Sequence, residues 1–195
     1  MTTNLTKGTL IYLHGFNSTG ESDKASAMKA EFSDVNVISP TLPVDPTEVV
    51  ALIGTIVRSV KSYPIIFVGT SLGGFYANYF AQKYDCPGVL VNPATNPSRL
   101  LYTAIGPNKN YKSGETYDWK QEYVEKLGEM EKEVSMIHSG GLVNLFVARD
   151  DKVIDADETL RNYPHTAHTS ITDTGGHRYS DKFGDVIERI KAILK

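Results

Sequence analysis

The sequence predicts an α/β chain: a parallel sheet with helices on both faces. Two observations carry the prediction. Apolar, β-branched runs at Thr9–Leu13, 65–68, Gly88–Val91 and 142–147 alternate with stretches of helical periodicity. And Gly69-Thr70-Ser71-Leu72-Gly73 stands between the run Ile65-Ile66-Phe67-Val68 and a helix-like segment beginning at Gly74. That placement reads as a tight strand-to-helix turn with glycines where side chains would collide.

The elements follow in order. The first strand is Thr9–Leu13. Ser18-Thr19-Gly20-Glu21 has capping-box spacing and is expected to open a helix reaching about Phe32. A second strand, Val35-Asn36-Val37-Ile38, ends in a proline-rich loop over 39–46. Asp45 then reads as an N-cap with Pro46 at the first helical position. Val49, Leu52, Ile53, Ile56, Val57 and Val60 make one apolar stripe along that helix. The third strand and its turn come next, then a fourth strand closed by Asn92-Pro93. The fifth strand is 142–147 and the sixth, 169–172, is short. A terminal helix over 183–194 places Phe183, Val186, Ile187, Ile190 and Leu194 on one side. Residues 96–141 are longer than a crossover helix needs. They are read as a cap-like insertion, a polar loop over 106–119 and then a helix over 120–134, within one domain of 1–195. The expected sheet has six parallel strands in spatial order 2-1-3-4-5-6, with any site at their C-terminal ends.

Composition narrows the function classes. The chain has 195 residues, 41% of them hydrophobic, enough for a substantial core. A net charge of −3 argues against a nucleic-acid partner, which calls for a basic face. Cys86 is the single cysteine, so no intrachain disulfide is available, and it reads as a small buried hydrophobe. Residues 1–8 lack signal-peptide character, and no apolar run approaches the roughly 20 residues of a membrane span, so a cytoplasmic location is expected. The oligomeric state is not legible.

Gly-x-Ser-x-Gly at a strand-to-helix turn is the nucleophile elbow of α/β-hydrolases. A serine hydroxyl needs a base within reach and a third group to orient that base. In this fold the chain order is serine, acid, histidine. Of five histidines, His177 follows the last strand in a Gly175-Gly176 loop able to swing the imidazole over the sheet. His14 lies upstream and reads as a brace for its own loop; His138 lies inside the insertion; His165 and His168 precede or begin the last strand. The acid is expected just past the fifth strand. Asp151 is favoured, with Val153 and Ile154 tucked back as anchors; Asp150 is the runner-up and Asp155 reads as a helix cap. The oxyanion donors are assigned to the amides of Leu72 and Phe16, with Asn17 as the alternative to Phe16. Tyr76 and Asn17 are the expected substrate-binding side chains.

Leu13-His14-Gly15-Phe16-Asn17-Ser18, Gly69 to Ala77, Val91-Asn92-Pro93-Ala94, Asp151-Lys152-Val153-Ile154-Asp155 and Gly175-Gly176-His177 occur in that order. As a set they closely resemble the YqiA/YcfP family of small bacterial α/β-hydrolase-fold esterases, from about Leu10 to the C-terminus. Gly114-Glu115-Thr116-Tyr117 is similar to the family's G-x-x-Y loop. Arg149 departs from it, standing where a small residue is usual. The resemblance implies a cofactor-free hydrolase of small-molecule carboxylic esters or acyl thioesters, with Ser71, Asp151 and His177 as its triad. Two alternatives stay open at this point: a non-catalytic binding protein on the same scaffold, or an amide or C–C bond hydrolase using the same triad.

Overall fold

A computed structural model describes residues 7–136 and 140–195. His138 lies outside the described residues. The chain runs β1 (Thr9–Leu13), α1 (Asp23–Glu31), β2 (Asn36–Ile38), α2 (Pro46–Ser59), β3 (Ile65–Thr70), α3 (Leu72–Lys83), β4 (Gly88–Val91), α4 (Pro97–Tyr102), β5 (Gly106–Lys109), β6 (Thr116–Trp119), α5 (Gln121–Met136), β7 (Val143–Ala148), α6 (Ala156–Asn162), β8 (His168–Thr172) and α7 (Phe183–Ile193).

The main sheet has strand order β2-β1-β3-β4-β7-β8, and every neighbouring pair is parallel. With β5 and β6 set aside as a separate hairpin, this is the 2-1-3-4-5-6 order expected from the sequence. β1, β3, β4 and β7 are buried along their whole length, which is why they read as unbroken apolar runs rather than alternating ones. One core layer lies under α2, α3 and α5 and includes Ile53, Phe67, Phe80, Leu90 and Leu127. The other lies under α1 and α7 and includes Leu10, Met28, Phe146, Val186 and Ile190.

Two expectations need correction. Ser18 does not open α1. The N-cap is Ser22, whose side chain accepts from Ala25 N–H at 3.2 Å. Residues 18–21 instead bridge to the loop after β2: Gly20 N–H donates to Thr41 Oγ1 and Ser39 Oγ donates to Gly20 O. A Cβ on Gly20 would stand 2.3 Å from Ser39 O, so this close approach requires glycine. Second, 106–119 is not a plain loop but an antiparallel hairpin, with Gly106 opposite Trp119 and Lys109 opposite Thr116.

The hairpin rests on the loop that follows β1. Tyr111 N–H donates to Asn17 O at 2.9 Å and Asn110 Nδ2 donates to Ser18 O at 2.7 Å. Trp119 meets the edge of Phe16 with ring centroids 5.0 Å apart. α5 continues into the core on the α2–α3 side through Tyr123, Val124, Leu127 and Met130. No helix among the described residues is long and apolar enough to cross a membrane.

Candidate active site

β3 passes into α3 at Ser71, which has φ 56° and ψ −125°. These angles are uncommon for any side-chain-bearing residue and are held by backbone bonds on every side. Ser71 N–H donates to Val91 O, while Ser71 O accepts from Gly74, Phe75 and Ala94 N–H. The turn tolerates no bulk: a Cβ on Gly69 would lie 1.9 Å from Gly73 O, and one on Gly73 2.0 Å from Leu13 O. Ser71 occupies the N-cap position, yet its side chain caps nothing in the helix. Its hydroxyl is therefore available to another partner.

That partner is His177. Its Nε2 is 3.1 Å from Ser71 Oγ, and its Nδ1 is 2.8 Å from Asp151 Oδ2. The carboxylate divides its work between its two oxygens. Oδ1 accepts from Val153 N–H at 2.7 Å and Ile154 N–H at 3.0 Å, which fixes the turn; Oδ2 is left for the imidazole. The Asp151 side chain is 1% exposed. Burial pushes its pKa up, but the His177 hydrogen bond and the two amides together outweigh this and hold it below the usual 3.8. It stays a carboxylate, able to orient a neutral imidazole and to stabilise an imidazolium. Of the two expected anchors only Ile154 is buried; Val153 is exposed and contributes its amide instead.

Asp150 does not face the imidazole. Its Oδ1 accepts from Gly176 N–H at 2.7 Å, holding the histidine loop rather than the ring. Asp155 caps α6 through Glu158 N–H. Arg149 points outward into ion pairs with Asp157 and Asp173. His165 is exposed and His168 opens β8, at the opposite end of the sheet from Ser71.

The loop after β1 runs beside the serine. A Cβ on Gly15 would be 3.3 Å from Ser71 Cβ and 3.8 Å from its Oγ. This brings the Phe16 backbone next to the start of α3, where Leu72 N–H, as a first-turn amide, has no intrahelical acceptor. A cavity of about 50 Å³ opens here between Phe16, Leu72, Tyr76, Leu42, Tyr117 and Trp119. Asn17 also lines it, in the left-handed region with φ 58°. Its side chain is spent on the hairpin, donating to Asn108 Oδ1 and accepting from the Tyr117 hydroxyl. Burial and the neighbouring Tyr111 push the Tyr117 pKa up to about 12, so it remains a donor. Tyr76 is 2% exposed, and burial raises its pKa as well.

Sequence reasoning did not anticipate a role for Asn92, which bonds to both the acid and histidine loops. Its sequence signals are its position, ending a strand before a proline, and its place in the Val91-Asn92-Pro93-Ala94 motif.

Sheet order, elbow and the serine–histidine–aspartate arrangement define an α/β-hydrolase fold. The chain belongs to the YqiA/YcfP family: residues 9–195 match the family described as Uncharacterised protein family (UPF0227). Solved structures share the architecture at low identity. Est1E from Butyrivibrio proteoclasticus matches with TM-score 0.74 and 15% identity, over 97% of this chain and 88% of that one. A putative hydrolase from Agrobacterium vitis S4 gives TM-score 0.75 and 16% identity over 96% and 88% of the two chains. Alpha/beta hydrolase domain-containing protein 10 from mouse gives 0.72 and 15% over 95% and 89%. At such identities the likeness is one of fold.

Proposed function

We propose that this protein hydrolyses small carboxylic esters or acyl thioesters through a covalent acyl-serine. The carrying observation is the continuous chain from Ser71 Oγ to His177 Nε2 at 3.1 Å and from His177 Nδ1 to Asp151 Oδ2 at 2.8 Å. His177 takes the Ser71 proton as Oγ bonds to the acyl carbon. The carbonyl oxygen, now an anion, is stabilised by the Leu72 and Phe16 amides, each worth about 3 kcal/mol in comparable sites. His177 returns the proton to the leaving alcohol or thiol as its bond to carbon breaks. Water then attacks the acyl carbon and gives His177 a proton; as the bond to Oγ breaks, His177 passes that proton to Ser71, releasing the acid and the free serine. The acyl group enters the cavity beside Tyr76 and Asn17. The cavity's small size favours short chains.

The test is hydrolysis of p-nitrophenyl esters and acyl-CoA thioesters of graded length by wild type and Ser71→Ala. Wild type is expected to prefer acetate or butyrate over decanoate. Ser71→Ala is expected to lose at least about 1,000-fold in kcat, as nucleophile removal does elsewhere. Equal rates in the two proteins would sink the serine mechanism.

A further inference from the structure

The histidine loop contains two consecutive glycines, Gly175 at φ 133° and Gly176 at φ 54°. Glycine frees the backbone to reach over the sheet, and the same freedom leaves His177 with many positions to sample. External bonds limit that sampling. Asn92, 1% exposed at the end of β4, joins the end of β7 to the histidine loop through one amide. Its Oδ1 accepts from Ala148 N–H at 2.8 Å, where β7 ends. Its Nδ2 donates to Gly176 O at 2.9 Å and His177 O at 3.3 Å. The orientation is unambiguous, because an N–H must face the oxygen and two carbonyls must face the nitrogen. Asp150 holds the preceding peptide of the same loop, through Gly176 N–H. Asn92 itself has φ 42°, an angle at which asparagine is better tolerated than most residues.

We infer that Asn92, with Asp150, is a positioning residue: it clamps the Gly176–His177 backbone to the end of β7, so that the imidazole stays aligned between Asp151 and Ser71. The inference rests on the serine mechanism proposed above. It adds a residue that touches neither substrate nor reacting atoms.

Asn92→Asp tests it with little change of shape. The oxygen facing Ala148 N–H is retained, while a carboxylate oxygen replaces the donor to Gly176 O and His177 O. The readout is the rate at which an alkyl fluorophosphonate labels Ser71, followed by intact mass, with circular dichroism to confirm the fold. At mildly alkaline pH we expect labelling about 100-fold slower than wild type, the order lost on an ångström-scale misplacement. The variant should recover as pH is lowered, because a protonated carboxyl regains an O–H donor for Gly176 O. That trend is opposite to the one for a histidine base, which is lost on protonation. A merely structural loosening would not invert the pH profile. Labelling indistinguishable from wild type at every pH overturns the inference.

If Asn92→Asp does not fold, Asp150→Ala and Asp150→Asn decide. Asn keeps an acceptor for Gly176 N–H and should label faster than Ala; equal rates overturn the clamp. Wild type that fails to label brings down the serine reading itself, and is distinguished by being seen before any variant is made.

Discussion

His14 carries two bonds that fix its protonation. Leu42 N–H donates to Nε2 at 2.9 Å, so Nε2 is bare and the proton sits on Nδ1, donating to Gly15 O at 2.9 Å. The ring ties the loop beside Ser71 to the proline-rich loop after β2. Burial lowers its pKa below the usual 6.5, and the Gly15 bond opposes this only in part. The folded state therefore prefers the neutral ring, and the unfolded chain binds the proton first as pH falls. Stability contributed here is complete above 6.5 and drains away below it. Thermal unfolding at pH 7.5 and pH 5.5 should show a fall in Tm for wild type that is smaller in His14→Gln. Asp151 behaves oppositely in range: its depressed pKa contributes stability above 3.8 that is lost only as pH falls through the lower folded value. An equal fall in wild type and His14→Gln would show that other groups carry the acid sensitivity between those two pH values.

The hairpin is the element least visible from sequence. β5 reads Gly-Pro-Asn-Lys, composed mainly of residues depleted in strands and without alternation. It forms because tertiary bonds hold it: Asn108 Nδ2 reaches Ala104 O at 2.7 Å, and Asn17 reaches Asn108. Trp119, 2% exposed, packs against Phe16 and Tyr123 and donates to Leu101 O at 3.1 Å. Trp119→Ala should cost about 3–5 kcal/mol in urea unfolding. It should also slow ester hydrolysis, since Phe16 loses the ring that steadies it. Unchanged kinetics would detach the hairpin from the site. By contrast, α2 was legible because its signals are local: an Asp45 cap accepting from Thr47 N–H, Pro46 at its start and an apolar stripe. The start of α1 is ambiguous in the sequence because Ser18 and Ser22 both resemble caps, and the choice depends on contacts with the loop after β2.

Every part of the candidate site follows the C-terminal end of a parallel strand: Phe16 after β1, Ser71 after β3, Asn92 after β4, Asp150 and Asp151 after β7, His177 after β8. Strand order brings these ends into line, as open parallel sheets do. This is why serine, aspartate and histidine could be read in chain order, with Gly-x-Ser-x-Gly as the anchor. The link between the histidine loop and β4 could not be, since it depends on which way one buried amide turns in space. The same geometry distributes stability unevenly. α3 is buried continuously from Leu72 to Ala81 and packs on β1, β3 and β4. The hairpin lies at the surface, with Tyr111 83% exposed. Local opening follows such differences. In deuterium uptake, peptides spanning 106–119 should exchange first and those spanning 72–81 last. On the proposed mechanism, warming would first remove the wall of the cavity beside Tyr76 while Ser71 is still held on its helix, so partial inactivation would begin as a change in chain-length preference before any loss of serine reactivity.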